Sequence, residues 1–284
     1  MQSFTHFQQN FAVAESLFQL YQLFNGLERT TLSEDLHLAL CSHLGFAENT
    51  EFQHAKNDRL LICARAANPI PPGLTMAGGL DSLLRQTIIV ACTALESFFW
   101  DSLRESVLTI VKVRKRGADS SLKEITLTLD EYMSIQQWDD PDLRLKQIIL
   151  NKYRRGTLYS VESIDEIVKI MTIRNFWEKV ESKTGEPGKA FKRNIASLIK
   201  RRNQIAHRAD RPEEGEGTDG HGLRPIALAW ATQHAQAAKT LVVAANEIMD
   251  EAIGLLESEL KAQEEQAEAQ KAVLHLTEQI KESA

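Results

Sequence analysis

Apolar residues recur at three- and four-residue intervals along most of the chain, the spacing that lines one face of a helix. Phe4, Phe7, Phe11, Ala14, Phe18 and Tyr21 form the first such stripe, and Gly26 supplies its stop. A second helix is expected from Ser33, where Ser-Glu-Asp gives a cap and an acidic first turn, to Gly45, and a third from about Asn57 to Ala67. Between residues 68 and 79 three prolines and three glycines interrupt the pattern and mark a domain boundary. Beyond it a long helix is predicted from Leu80 to about Arg116, striped by Leu84, Ile88, Ala91, Leu95, Phe98 and Ser102. Shorter helices should start near Thr128 or Asp130, at Asp140-Pro141 (ending at Tyr153 to Gly156), and at the capping box Ser163 to Glu166, which opens a helix through Trp177 to about Ser182. The turn Gly185 to Gly188 then hands the chain to a helix striped by Phe191, Ile195, Leu198, Arg202 and Ile205.

After that helix, residues 210 to 224 are rich in glycine and acid and are expected to form a mobile loop. Pro225 opens a long helix to about Leu260, whose alanines permit close packing, and Lys261 to Ala284 read as a charged helical tail. The one alternating stretch is Ile125 to Leu129, so the class is all-α: an accessory helical layer over residues 1–75, a helical bundle over 80–260 and the tail.

Composition narrows the function. At 43% hydrophobic and 25% charged residues the chain is an ordinary globular protein. Its start lacks the pattern of a signal peptide, and it holds no run of 18 apolar residues, so a cytoplasmic protein without membrane contact is expected. Cys41, Cys63 and Cys92 are odd in number, widely spaced and set in helical patterns, which reads as reduced core thiols. His37, His43 and His54 stand without a carboxylate or cysteine cluster, and Gly78-Gly79 is followed by neither Lys-Ser nor Lys-Thr; no metal site and no cofactor are expected.

Charge is uneven. From Pro187 to Ala209 there are seven basic residues and no acid, so with a net charge of −6 the rest of the chain sums to −6 − 7 = −13. A basic island on an acidic protein suits a local anionic ligand. At its centre lies Lys200-Arg-Arg-Asn-Gln-Ile-Ala-His-Arg208. Arg202 falls where the stripe would bury another apolar residue, and Asn203 and His207, four apart, share a face about 100° round the helix from Arg202. That grouping fits phosphate chemistry; the spacing alone also fits a helix-end ion pair and a cationic cap.

Arg202-Asn203 followed by His207 resembles the Arg-Asn-x-x-x-His signature of HEPN-domain proteins. Ala94-Leu95-Glu96-Ser97-Phe98-Phe99 is similar to the "LE-x-F" helix of the RiboL-PSP-HEPN and MAE-28990-like branch, and the segment from Ser163 to Trp177 to that branch's middle helix; the likeness covers about Leu80 to Gly254. The resemblance implies a HEPN-like helical bundle acting as a metal-independent endoribonuclease. In such chemistry the RNA 2′-hydroxyl attacks its own phosphate, and the products carry a 2′,3′-cyclic phosphate and a 5′-hydroxyl. His207 suits the proton transfers, Arg202 the charged phosphorane, and Asn203 the RNA backbone or the imidazole tautomer.

Glu96, flanked by largely apolar neighbours, is expected to orient Arg202 or His207. Arg201 and Arg208 should hold flanking phosphates, with Lys200 and Arg193 as further RNA contacts. The resemblance also implies a homodimer through the motif helices and a role in toxin–antitoxin or antiviral defence, with a neutralising partner. No tyrosine follows His207, so silencing by nucleotide transfer onto such a residue is not expected. A non-catalytic module binding RNA, nucleotide or protein stands as the alternative.

Overall fold

The computed structural model describes residues 2–55, 61–64, 79–114, 126–153 and 160–282. Helix α1, Gln2–Asn25, buries Phe7, Phe11 and Ala14 from the predicted stripe. Helix α2, Glu34–Leu44, begins after Ser33 and ends on Gly45, whose φ of 68° is the left-handed closure that glycine adopts without steric cost.

The fold is all-α in class as expected, and its one departure among the described residues is a small sheet in the N-terminal region. Strands β1 (Leu27–Arg29), β2 (Glu51–Ala55) and β3 (Leu61–Ala64) form a small antiparallel sheet in the order β1-β2-β3, with Glu28 opposite His54 and Phe52 opposite Cys63. The third helix expected over Asn57 to Ala67 is therefore corrected: Leu61 to Ala64, Cys63 included, is a strand. A short apolar run is compatible with either state, and here its pairing with β2 decides. Phe52, 2% exposed, anchors the sheet and meets the ring of His37 edge-on at 5.3 Å. His37 Nε2–H donates to the Thr50 carbonyl at 2.7 Å, and His54 Nδ1 lies 2.7 Å from the Thr30 hydroxyl, so both histidines bond within the fold. The proline- and glycine-rich break falls almost entirely outside the described residues.

Helix α3, Asp81–Arg114, carries the long stripe, with Leu84, Ile88, Ala91 and Phe98 completely buried. It is the one helix among the described residues long and apolar enough to cross a membrane, and 56% of its apolar window is buried inside the protein, as in a core helix. Helix α4, Leu129–Gln137, opens on a full Thr128–Glu131 capping box, and α5, Pro141–Tyr153, on Asp140, whose side chain accepts from Leu143 N–H at 3.0 Å. The described part of the alternating stretch, residues 126–129, thus leads into a helix rather than a strand.

The middle helix starts earlier than expected and is broken. Helix α6 is Val161–Ile170 and α7 is Phe176–Thr184, separated by a turn in which Thr172 and Asn175 take φ of 61° and 53°. Helix α8, Gly188–Arg208, follows directly. Helix α9, Leu228–Glu282, continues without interruption through the segment read as a separate tail.

By contact density the chain divides into two units. Unit 1 comprises residues 1–7, 94–196 and 239–284; unit 2 comprises residues 8–93 and 197–238. In unit 1 aromatic edges organise the core: Phe7 meets Phe98 at 6.1 Å, and Phe99 meets both Phe98 at 5.3 Å and Phe176 at 6.4 Å. Phe176 is buried in this core, and the half-buried Trp177 beside it donates its indole N–H to Asp165. Unit 2 buries Leu84, Ile88, Ala91, Leu198, Ile199, Ala231 and Ala235.

Gly188 shows what holds the start of α8. A Cβ built there would lie 2.7 Å from the Trp177 carbonyl oxygen, a backbone atom that cannot swing away. Gly188→Ala should therefore destabilise the protein by about 1–3 kcal/mol through overpacking, although alanine is the better helix former. A lowered thermal midpoint checks this; an unchanged or raised midpoint would mean that the two backbones separate at no cost.

Candidate functional site

Helix α8 carries the motif because its apolar face is long enough to be anchored before the charged end begins. Phe191, Ile195 and Leu198 are fully buried, and Arg202 follows them on the same face in a half-buried position. Asn203 is half-buried, and its side-chain oxygen is buried with no hydrogen-bond partner among the described residues. His207 is exposed in the last turn. At four-residue spacing Asn203 and His207 are surface neighbours, about 5–6 Å apart at Cβ. The helix thus presents a guanidinium at the edge of the core, an amide beside it and an imidazole open to solvent.

What fixes this end is a cluster that the sequence pattern did not reveal. Ala209 and Asp210 both take left-handed conformations, with φ of 49° and 58°, and Asp210 N–H donates to the Gln204 carbonyl at 3.0 Å. The chain then leaves α8, runs out and returns, where Arg224 N–H donates to the Asp210 carbonyl at 2.9 Å. Residues 210–224 are therefore a closed Ω-loop.

Beneath the loop lies Asp210, 1% exposed, accepting on one carboxylate oxygen from Arg85 Nε at 2.6 Å and Arg201 Nη2 at 2.8 Å. Arg85, itself 6% exposed, also reaches the Asp219 carboxylate at 3.0 Å and the Arg224 carbonyl at 2.9 Å. Arg224 Nη2 pairs with Glu216 at 2.6 Å, and Arg208 Nη1 with Glu213 at 2.5 Å. Four guanidinium groups thus meet four carboxylates, which is why buried arginines are tolerated here.

The loop's own groups respond to this setting. Burial raises the Asp219 carboxyl, but the N–H groups of Leu223 and His221 and the Arg85 guanidinium outweigh it and hold the group below its ordinary range. Burial lowers the Arg201 guanidinium from its usual value, Asp210 opposes that, and Arg85 and Arg224 add to it.

These contacts correct two expectations. The acidic segment is tied to α8 and α3 at both ends and along its length, because its carboxylates have buried and surface cations to pair with. Arg201 is not placed as an open phosphate contact: its Nη2 is shared among Asp210, the Arg224 carbonyl at 2.9 Å and the Pro225 carbonyl at 3.1 Å, and its side chain is 14% exposed. Arg208 is exposed but engaged by Glu213. Lys200 and Arg193 are both exposed and have no ion pair among the described residues. Lys192 of the basic window is paired with Asp165 at 3.1 Å and lies over the Trp177 ring at 5.1 Å.

Glu96 is half-buried on α3 within unit 1, whereas Arg202, Asn203 and His207 belong to unit 2. Among the described residues no group of three or more His, Cys, Asp or Glu side chains is arranged to hold a metal ion. Cys41 and Cys92 are buried and neither is in a disulfide.

Sequence reasoning missed Arg85, Asp210 and Arg224. A signal for Arg85 was present: it lies seven residues before the buried Cys92, inside an apolar helix face, the same anomaly that drew attention to Arg202. Asp210 offered only its position, three residues beyond His207.

A model of the RiboL-PSP-HEPN family matches residues 59–236, more than half of the chain and including the whole of the motif helix. No curated protein and no solved structure matches the chain.

Proposed function

Because the chain belongs to the RiboL-PSP-HEPN family, we propose that it is a metal-independent endoribonuclease, acting in toxin–antitoxin or antiviral defence. The observation that carries this reading is the end of α8, where a half-buried Arg202, an Asn203 whose buried side-chain oxygen has no hydrogen-bond partner among the described residues and a solvent-facing His207 follow one another within two turns.

RNA supplies its own nucleophile. His207 takes the proton from the 2′-hydroxyl or returns one to the departing 5′-oxygen, and Arg202 places its planar donors against the phosphorane oxygens. Asn203 holds one imidazole tautomer by accepting from a ring N–H, or fixes the RNA backbone. One histidine serves one proton transfer at a time, so a homodimer that brings a second motif helix into the same cleft completes the acid–base pair. Glu96 acts as a positioning residue. Lys200 and Arg193 remain open to flanking phosphates, and Arg208 becomes open once Glu213 gives way.

The test is cleavage of an end-labelled single-stranded RNA in excess EDTA. Cutting that resists EDTA and leaves 2′,3′-cyclic phosphate ends is expected. Cutting that EDTA abolishes, or 3′-hydroxyl ends, would overturn the mechanism. The exposed Lys200 and Arg193, which need no catalytic histidine to hold phosphates, also fit a second reading, a module that binds RNA without cutting it; salt-sensitive binding with no products at any concentration is its signature.

A further inference from the structure

Beside the motif, within unit 2, lies a surface pocket of about 690 Å³ whose wall includes Ser197, Lys200, Gln204, Glu216, Arg224 and Trp230. Its volume lies within the range of small-ligand sites. Its chemistry is uneven in a useful way. Trp230 stacks on His234 with ring centroids 4.1 Å apart and planes 25° from parallel, and His234 Nδ1–H donates to the Trp230 carbonyl at 2.8 Å. The indole is thereby fixed against His234, and the half-buried ring also lines the pocket. Arg224 is locked to Glu216, and Arg201 to Asp210, which leaves Lys200 as the exposed cation of the rim. Ser197 and Gln204 add a hydroxyl and an amide that read hydrogen-bonding edges. A fixed aromatic plane, neutral polar groups and one exposed ammonium in no salt bridge among the described residues, though near enough to Glu216 to act on its charge, are the parts of a site for a nucleobase and its phosphate.

Position supports the same assignment. Lys200 and His207 are seven residues apart, two turns less about 20°, so they face the same way and are separated by about 10.5 Å along the helix. A strand whose phosphate meets Lys200 therefore reaches His207 within a nucleotide or so. We infer that this pocket is a base-binding subsite of the RNA strand, in which Trp230 stacks one nucleobase and Lys200 holds the adjoining phosphate. Its role in setting which phosphodiester is cut rests on the ribonuclease reading; its occupancy by a base does not.

The binding test uses the full chain carrying His207→Ala, so that the RNA stays intact, and fluorescein-labelled single-stranded homopolymeric RNA oligonucleotides. Adding Trp230→Leu should weaken binding of at least one homopolymer about tenfold or more, and Trp230→Phe should restore most of it, because stacking needs an aromatic plane rather than bulk. An oligonucleotide with abasic residues should bind weakly and be indifferent to Trp230→Leu. Lys200→Ala should lower the salt slope by about 0.7, the share of one phosphate on a single strand. Equal affinities for the aromatic and leucine variants would overturn the proposal. So would uridine or adenosine monophosphate binding as tightly as the oligonucleotides, since the pocket would then be a free-nucleotide site. In the chain that retains His207, Trp230→Leu should shift the base found beside the cut while leaving EDTA resistance intact. An absence of cutting by the unaltered chain would count against the ribonuclease reading alone, because the binding arm still decides the pocket.

Discussion

His207→Ala is expected to reduce RNA cleavage by about 10²–10⁴-fold, the range that a positioned proton-transfer group contributes. The thermal midpoint should hardly move, because the ring is exposed at the end of α8 and exposed side chains away from special features contribute little to stability. RNA affinity should also be nearly unchanged, since the proposed phosphate contacts are Lys200, Arg193 and, once Glu213 gives way, Arg208. That combination of lost turnover, kept fold and kept binding separates a catalytic imidazole from a cationic helix cap. A cap would show the reverse, a change of up to about 1 kcal/mol in stability with cleavage intact. Arg202→Lys provides the companion measurement. It keeps a positive charge but loses the planar fork, so a partial loss of rate is expected where the guanidinium spans two phosphoryl oxygens. Wild-type rates from purified His207→Ala protein would assign the cutting to another site or another nuclease.

Much of the helical framework was legible because burial writes itself into spacing. The stripe from Leu84 to Phe98 and the run Phe191, Ile195, Leu198 are completely or almost completely buried, and the termini at Thr128, Asp140 and Gly45 carry the groups that cap a helix. Residues 61–64 were misread because four apolar residues satisfy either period, and the pairing that settles them comes from β2. The break after Ile170 was missed because two non-glycine residues, Thr172 and Asn175, adopt the left-handed conformations that make it.

The motif itself could be read from Arg202, Asn203 and His207, since all three lie on one helix. Its support could not: Arg85 is 125 residues from Asp210 in sequence, and composition records charge, not pairing. Counting the basic window as open charge overstated it for the same reason, with Arg201 and Arg208 matched by acids from the following loop.

Removing the carboxylate at the centre of that support should have the largest effect on stability. Asp210→Ala leaves Arg85 and Arg201 facing each other in a buried site without the oxygen that both bind at 2.6 and 2.8 Å. Breaking a buried charge network in this way costs about 3–5 kcal/mol. Alanine at a φ of 58° adds about 1–2 kcal/mol, because aspartate tolerates the left-handed region better. Asp210→Asn keeps the shape and an acceptor while losing the charge, so its midpoint should fall between those of the wild type and the alanine variant.

The consequence for chemistry follows from position. Asp210 N–H closes on Gln204, one turn before His207, so a loosened loop lets the imidazole wander, and cleavage by the Asn variant should fall more than its folded fraction does. Acid should act on the same device. Asp219 is held below its ordinary range in the folded state. Its stabilisation is therefore complete above the unfolded carboxylate value and is lost as pH falls through the folded one. Amide exchange or limited proteolysis across residues 211–223 should accordingly show the loop opening at a pH where α8 still protects its core amides. Simultaneous loss of protection in the loop and in the whole of α8 would show instead that the cluster holds the entire unit, with no separate latch over the site.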